Sequence, residues 1–232
     1  MQISVAISEK LVYNHAVKYI IAEFEENFNM RMRKKKNGEK RIAACSDYIV
    51  KAADEISNLP CDLEIGCGKG SFILGLSKKN PNVNYYAMEK ISDVLLLAAE
   101  KIKGEEIQNV KFIVGDATNL KEYFPSGSVN RIYLNFSDPW PKKGYAKRRL
   151  THRRFLEIYK DILSKNGQII FKTDNIDLFE FSLIEFEEMG FKLSEVTRDL
   201  HNSEYNENNI VTEYEANFSA KGFKINRVVA SL

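Results

Sequence analysis

The spacing of hydrophobic and polar residues changes once along the chain and divides it into two parts. Over residues 1–29, apolar side chains such as Leu11, Ala16 and Ile20 recur at helical spacing, which predicts one or two amphipathic helices. A basic stretch from Arg31 to Arg41 follows, broken by Asn37-Gly38, and it is typical of an arm or linker. We therefore predict an N-terminal helical extension and basic arm over residues 1–41 and a separate domain over residues 42–232.

From residue 61 onward, short apolar runs alternate with segments of helical periodicity. The predicted strands cover residues 61–65, 83–88, 110–114, 129–134 and 168–172, and the predicted helices cover 71–79, 92–103, 151–163 and 177–189. Residues 191–198 and 212–220 alternate with a period of two and predict a terminal antiparallel pair of strands. This order predicts an α/β fold with a Rossmann-like, doubly wound, seven-stranded sheet. The sheet is mostly parallel, with an antiparallel terminal pair and helices on both faces.

Composition indicates an ordinary globular protein. Hydrophobic residues make up 44% and charged residues 28% of the 232 positions. The longest apolar run, residues 94–99, is too short to span a membrane, and the first ten residues do not resemble a signal peptide. The three cysteines are an odd number without C-x-x-C spacing, which predicts neither disulfides nor a zinc site. We expect a cytoplasmic protein without a metal.

The charge is unevenly placed, although the net charge is only +2. Between Pro139 and Arg154 there is no acidic residue and there are seven basic ones: Lys142, Lys143, Lys147, Arg148, Arg149, Arg153 and Arg154. Two basic blocks on a nearly neutral chain indicate a polyanionic partner on one face, although a single block fits a solvated surface equally well.

A glycine-rich turn follows the first predicted strand, in the sequence D-L-E-I-G-C-G-K-G. Gly66, Gly68 and Gly70 are spaced G-x-G-x-G, whereas sites for a dinucleotide pyrophosphate usually read G-x-G-x-x-G. Glu64, two residues before the first glycine, would repel phosphates but would suit the sulfonium and ammonium groups of S-adenosylmethionine. The pattern favours S-adenosylmethionine over NAD, and a surface or capping role is the alternative for Glu64.

Two further acids stand at the ends of predicted strands. Glu89 ends the second strand, at the distance from the glycines where an acid binds ribose hydroxyls. Asp116 ends the third strand, close to where an adenine would lie. With their neighbours Lys90 and Ala117, these residues complete the predicted cofactor site.

The loop after the fourth predicted strand reads N-F-S-D-P-W-P-K-K, residues 135–143. Pro139 favours an extended Asp138, and two prolines stiffen the loop before a substrate arrives. Trp140 would either stack on a nucleobase or pack in the core. The cationic side chains nearby would contact RNA phosphates without reading sequence, and those predicted to do so are Lys142, Lys143, Lys147, Arg148 and Arg149.

These residues closely resemble the bacterial tRNA (guanine-N7-)-methyltransferases, which are class I S-adenosylmethionine-dependent enzymes. The resemblance extends from about Arg31 to near the C-terminus, and it includes L-E-I-G-C-G-K-G, K-R-R-L-T, F-K-T-D-N at Phe171–Asn175, D-L-H-N-S at Asp199–Ser203 and T-E-Y-E at Thr212–Glu215. Residues 1–29 have no counterpart in that family. They are either a true N-terminal helix or an upstream extension ahead of Met30.

The resemblance implies a reaction and a set of roles. The protein would methylate N7 of a guanine in the tRNA variable loop, without an obligatory second subunit, as a monomer or homodimer. Asp138 would be the catalytic residue and would also lie close to the cofactor, together with Glu64, Glu89 and Asp116. The implied substrate-binding residues are Lys142, Asp174, Thr212, Glu213, Tyr214 and Glu215.

Some alternatives stay open at this point. A methyltransferase for another RNA or a small molecule, an NAD-dependent oxidoreductase and a non-catalytic RNA-binding subunit are the competing interpretations. Period-two alternation would also place Tyr214 in the core, on the side of its predicted strand opposite to Glu213 and Glu215.

Overall fold

A central eight-stranded sheet organises the part of the chain that the structure, a computed structural model, describes, namely residues 37–51, 56 and 59–232. Residues Glu39–Leu232 make up one compact unit. The predictions for residues 1–29 and for most of the basic arm lie outside the described residues. Arg41, the last residue of the predicted arm, forms a two-fold hydrogen-bonded ion pair with Glu100, at 2.7 and 2.6 Å, and so belongs to the compact unit.

The strands are β1 (Ile49–Val50), β2 (Cys61–Ile65), β3 (Tyr85–Glu89), β4 (Val110–Val114), β5 (Val129–Asn135), β6 (Leu163–Thr173), β7 (Lys192–Thr197) and β8 (Asn226–Ser231). The α-helices are α1 (Gly38–Ala44), α2 (Ser71–Lys79), α3 (Ser92–Gly104), α4 (Leu120–Tyr123), α5 (Arg153–Ile162), α6 (Ile176–Glu188) and α7 (Glu213–Ala220). The strand order is β1-β4-β3-β2-β5-β6-β8-β7. Only the pairings of β8, with β6 and β7, are antiparallel among those the structure describes.

The predicted doubly wound α/β fold is confirmed, with two differences in the sheet. The prediction of a strand over residues 212–220 is wrong, because these residues form helix α7 and the last strand is β8. Thr212 and Glu215 make a capping box that starts the helix, and this T-x-x-E signal outweighs a short alternation of polar and apolar residues. The eighth strand is β1, which has only two residues and is too short to give a periodic signal.

Apolar side chains fill the space on both faces of the sheet. Successive residues of β3 alternate between the faces, so that Tyr86 packs with residues of α5 and α6, whereas Tyr85 packs with residues of α2 and α3. All five residues of the central strand β2 are buried. None of the helices in the described part of the chain has the length and apolar character needed to cross a bilayer.

The topology places two loops side by side. The chain proceeds from β2 through β3 to β4 on one side, and then returns to start β5 on the other side of β2. Because β2 and β5 are parallel neighbours, the turn after β2 and the loop after β5 lie at the same edge of the sheet. Ligands of doubly wound sheets bind at such a change of strand order.

Candidate active site

The glycine turn after β2 is held against the end of β3. The amides of Gly66 and Cys67 donate to the carbonyl of Met88, at 2.8 and 3.1 Å, and the amide of Gly68 donates to Glu89 Oε2 at 3.2 Å. All three predicted glycines have positive φ angles, between 54° and 78°, which side chains rarely tolerate.

Gly70 carries a further steric requirement, because helix α3 passes close to it. A Cβ atom at this position would lie 2.7 Å from the Cβ of Ala98. The turn is thus built from bare backbone, which leaves its surface open to close approach by a ligand.

Glu64 is buried on β2 beside the loop after β5. Its Oε1 accepts a hydrogen bond from Asn135 Nδ2 at 3.2 Å. Burial raises the pKa of Glu64 to about 7, against the lowering effects of the Asn135 amide and the Lys172 charge.

Three buried polar atoms of this region have no hydrogen-bond partner among the residues the structure describes: Glu64 Oε2, Asn135 Oδ1 and Ser137 Oγ. Unsatisfied buried acceptors are costly and call for an explanation. Two acceptors beside a glycine turn fit a ligand that brings cationic or hydrogen-bond donor groups. The residues present therefore fit S-adenosylmethionine, and the Glu64 carboxyl disfavours a pyrophosphate.

Glu89 and Asp116 lie at the ends of the neighbouring strands β3 and β4. Glu89 Oε1 accepts from the amide of Ile91 at 3.0 Å. Asp116 accepts from the amide and hydroxyl of Thr118 with one oxygen, and its other oxygen pairs with Lys90 Nζ at 2.9 Å. Burial alone would raise the pKa of Asp116, but Thr118 and Lys90 outweigh it and hold the pKa at about 2. Lys90 thus contacts Asp116, a predicted cofactor-binding residue, and Ala117 is buried next to Asp116.

In the loop after β5, Asp138 lies between two residues whose backbone has positive φ angles. Phe136 and Trp140 have φ angles of 52° and 42°, in the left-handed region that non-glycine residues seldom adopt. The Asp138 side chain keeps contact with solvent at the loop surface. Partial enclosure raises the pKa of its carboxyl, and the charge of Glu89 adds to this effect.

Asp174 and Tyr214 come together with Asp138 although they are far apart in sequence. Burial raises the pKa values of Asp174 and Tyr214, and the Asp174 carboxyl further raises the pKa of the Tyr214 hydroxyl. The charge of Asp138 also raises the pKa of Tyr214. The Tyr214 ring packs on Phe136 at 4.9 Å and stacks on Phe218 at 4.1 Å between ring centroids. Tyr214 is therefore a half-buried helical residue facing the site, and its predicted core position on a strand is wrong.

Glu215 is fully buried and is held by the protein's own groups. Its carboxylate accepts from Lys172 Nζ at 2.7 Å and from Asn209 Nδ2 at 2.6 Å, and it lies 2.8 Å from His201 Nε2. Burial would raise the pKa of Glu215, but Lys172 and the other two partners outweigh it and lower it. Sequence reasoning missed Lys172 and Asn209, although Lys172 lies within the F-K-T-D-N motif.

The other two residues of T-E-Y-E also have partners within the protein. Thr212 Oγ1 accepts from the amide of Glu215 at 2.9 Å and caps α7. Glu213 is exposed and accepts from Ser71 Oγ at 2.7 Å and from Lys101 Nζ at 3.0 Å. Helix α7 is therefore attached to the start of α2, immediately after the glycine turn.

Four of the five predicted phosphate contacts are exposed: Lys142, Lys143, Lys147 and Arg148. The guanidinium of Arg148 lies over the rings of Trp140 and Tyr145, at 4.8 and 4.7 Å. Arg149 differs, because its guanidinium donates to the carbonyls of Pro139 and Trp140. The structure therefore separates Arg149 from the exposed basic group.

Solved structures similar to this one are methyltransferases. The crystal structure of the 16S rRNA methyltransferase KamB superposes with a TM-score of 0.55 at 12% identity, over 74% of this chain and 87% of that chain. An antibiotic-related methyltransferase superposes with a TM-score of 0.53 at 19% identity, over 74% of this chain and 86% of that chain. At such low identity these likenesses show the fold alone.

Sequence relatives carry more information. The model of the Methyltransf_4 family of methyltransferases matches residues 58–228. A tRNA (guanine-N(7)-)-methyltransferase of Streptococcus agalactiae (strain NEM316) is 44% identical over 87% of this chain and 99% of its own length. The enzyme of the same name from Listeria innocua is 52% identical over 75% of this chain and 81% of its own length. With identities of this size over nearly complete relatives, the chain belongs to the tRNA (guanine-N(7)-)-methyltransferase family.

Proposed function

We propose that this protein transfers the methyl group of S-adenosylmethionine to N7 of a guanine in tRNA. The observation that carries the proposal is that the loop carrying Asp138 and the helix carrying Tyr214 meet beside the glycine turn. Phe136 packs on Tyr214, Glu213 accepts from Ser71 immediately after the turn, and Asn135 donates to the buried Glu64. Membership of the family supports the same reaction. When bound, S-adenosylmethionine supplies an electrophilic methyl group on a sulfonium.

Glu64, Glu89 and Asp116 hold the donor in this proposal. They stand at the ends of three adjacent parallel strands, and the open backbone of Gly66 and Gly68 lies between the first two. Carboxylates at these positions favour a ligand with a cation and hydroxyl donors.

Guanine N7 has a free in-plane lone pair at neutral pH, so it needs no general base before it attacks. The role we propose for Asp138 is to orient the base and to stabilise the positive charge that develops on the purine ring. Asp174 is the proposed acceptor for the N1–H and exocyclic amine of guanine. Adenine offers no donor at N1, which accounts for a preference for guanine.

The exposed cations after the loop are the proposed tRNA contacts. Lys142, Lys143, Lys147 and Arg148 are accessible to solvent and follow Asp138 directly in the chain. Phosphate contacts of this kind position RNA without reading its sequence. They offset the cost of exposing a structured guanine, about a few kcal/mol. We place the target guanine in the variable loop.

A direct test uses unmodified tRNA and labelled S-adenosylmethionine, followed by borohydride and aniline, which cleave RNA at 7-methylguanosine. We expect one strong cleavage in the variable loop. In Asp138→Asn the turnover should fall about 10²–10³-fold, the usual effect of removing one preorganised group. Donor binding, followed by calorimetry, should be retained.

Asp161→Asn is a matched control, because Asp161 pairs with Lys121 at the end of α5, at the opposite edge of the sheet. It should keep full turnover. Label incorporated without aniline-sensitive sites would indicate another RNA position, and label transferred only to small molecules would refute tRNA as the substrate.

A further inference from the structure

The backbone of the loop after β5 needs support from outside the loop. Asp138 lies between Phe136 and Trp140, which both have positive φ angles. Such conformations persist in non-glycine residues only where the surroundings determine them. Pro139 and Pro141 have no amide hydrogen, so the carbonyl oxygens of this segment are its main hydrogen-bonding groups.

Arg149 supplies this support through two consecutive carbonyls. Its Nε donates to the carbonyl of Pro139 at 3.0 Å, and one terminal nitrogen donates to the carbonyl of Trp140 at 3.1 Å. The guanidinium also lies 4.3 Å from the ring centroid of Phe181, on helix α6. One side chain therefore joins the two residues that follow Asp138 to a helix of the core.

We propose that Arg149 is a positioning residue that holds the Trp140 backbone and thereby the direction of the Asp138 carboxylate. The inference rests on the proposed role of Asp138. It replaces the expectation that Arg149 contacts an RNA phosphate, because the guanidinium is engaged by the loop and stacked on Phe181. The two bonds require the planar fork of arginine, which the single ammonium of lysine cannot reproduce.

The two roles for Arg149 predict different consequences of the same substitutions. A phosphate contact depends on charge, so lysine would replace arginine better than glutamine would, and the losses would appear in tRNA affinity and its salt dependence. A positioning fork depends on geometry, so lysine and glutamine would both fail, and the loss would appear in kcat with saturating tRNA.

The experiment compares Arg149→Lys and Arg149→Gln with Lys147→Ala, a matched variant from the same turn. We expect kcat to fall about 10–100-fold in both Arg149 variants, as for a small misplacement of a reacting group. Their tRNA salt slopes should stay at the wild-type value. Lys147→Ala should instead lower the salt slope by about one unit, with its loss appearing in tRNA affinity.

Trp140 is the only tryptophan of the protein, so its fluorescence reports on the conformation of the loop. This measurement does not depend on enzyme activity. In both Arg149 variants its fluorescence should become more accessible to acrylamide, whereas Lys147→Ala should match the wild type. Urea unfolding of each variant identifies any that fails to fold, and the other Arg149 variant then carries the test.

The outcomes separate this inference from the proposed function. A wild-type protein that methylates no tRNA would refute the proposed function, and the fluorescence comparison would still test the loop contact. If the wild type is active and Arg149→Lys keeps both kcat and the Trp140 signal, the positioning role is wrong. A lysine variant close to wild type beside an impaired glutamine variant would also overturn it.

Discussion

Replacing Lys172 by methionine removes the cation from a buried ion pair and leaves its carboxylate in place. The side chains of Lys172 and Glu215 are 2% and 0% exposed, and the atoms Nζ and Oε2 are 2.7 Å apart. Lys172 also donates to Asn209 Oδ1 at 2.9 Å and to the carbonyl of Ile210 at 3.0 Å. The pair thus joins β6 to the segment that leads into α7.

The expected loss of stability follows from this burial. Removing one partner of a buried pair leaves an uncompensated charge and costs about 3–5 kcal/mol. A typical domain has a free energy of unfolding of about 5–15 kcal/mol, so the variant should lose a large part of its stability. Lys121→Met is a matched control, because the Lys121 side chain is 53% exposed in its pair with Asp161. It should lose at most about 1 kcal/mol.

Urea unfolding of four proteins measures the coupling: the wild type, Lys172→Met, Glu215→Gln and the double variant. Since the double variant no longer buries an unpaired charge, it should be less destabilised than the sum of the single variants by about 2–3 kcal/mol. Near neutral pH the single variant Lys172→Met should be the least stable.

The pH dependence adds a second reading. Without Lys172, burial raises the pKa of Glu215, so the native state binds a proton that the unfolded state lacks between the two pKa values. The stability of Lys172→Met should therefore rise as the pH falls through this interval. Equal losses in Lys172→Met and Lys121→Met, or additive losses in the double variant, would refute the description of the pair.

Three further predictions concern the donor site and the RNA surface. Since burial places the pKa of Glu64 at about 7, donor affinity measured by calorimetry should increase as the pH rises through neutrality. The variant Glu64→Gln should bind the donor weakly and without this pH dependence. If the variant keeps the pH dependence, the titrating group is not Glu64. Lys142→Ala should weaken tRNA binding and lower its salt slope by about one unit, and an unchanged slope in gel-shift titrations would remove Lys142 from the phosphate contacts. Gly70→Ala should lower the free energy of unfolding in urea by at least about 1 kcal/mol, because φ at Gly70 is 75° and the new Cβ would meet Ala98. Gly104→Ala is the control and should be tolerated, because a Cβ at Gly104 has no atom within 4 Å. Equal stability of the two variants would contradict the steric argument.

Local patterns were sufficient for the central strands and for the order of the main strands and helices from β2 to β7. The predicted bounds 61–65 and 110–114 match β2 and β4, because each segment has apolar residues at alternate positions and is followed by a glycine. Strand β6 begins five residues earlier than predicted, because Leu163 pairs with Val129 of β5 and a register shift separates this pair from the regular pairing that starts at Gln168.

The positions of single motifs were also readable before the fold was known. Glycines with positive φ and acids at strand ends follow from rules that depend on a few neighbouring residues, so Glu64, Gly66 and Asp138 could be singled out from sequence. Their chemistry is set by side-chain type, which the sequence states directly.

The tertiary structure decided which of these residues contact one another and which side chains are already hydrogen-bonded or ion-paired within the protein. Residues 212–220 alternate as a strand would, yet they form α7, because a capping box and the buried pair of Glu215 with Lys172 favour a helix there. Arg149 and Arg148 are neighbours in one basic run, but only the guanidinium of Arg149 meets the loop carbonyls. Burial and hydrogen bonding depend on contacts between residues distant in the chain, so an exposed cation and an engaged one have the same appearance in sequence.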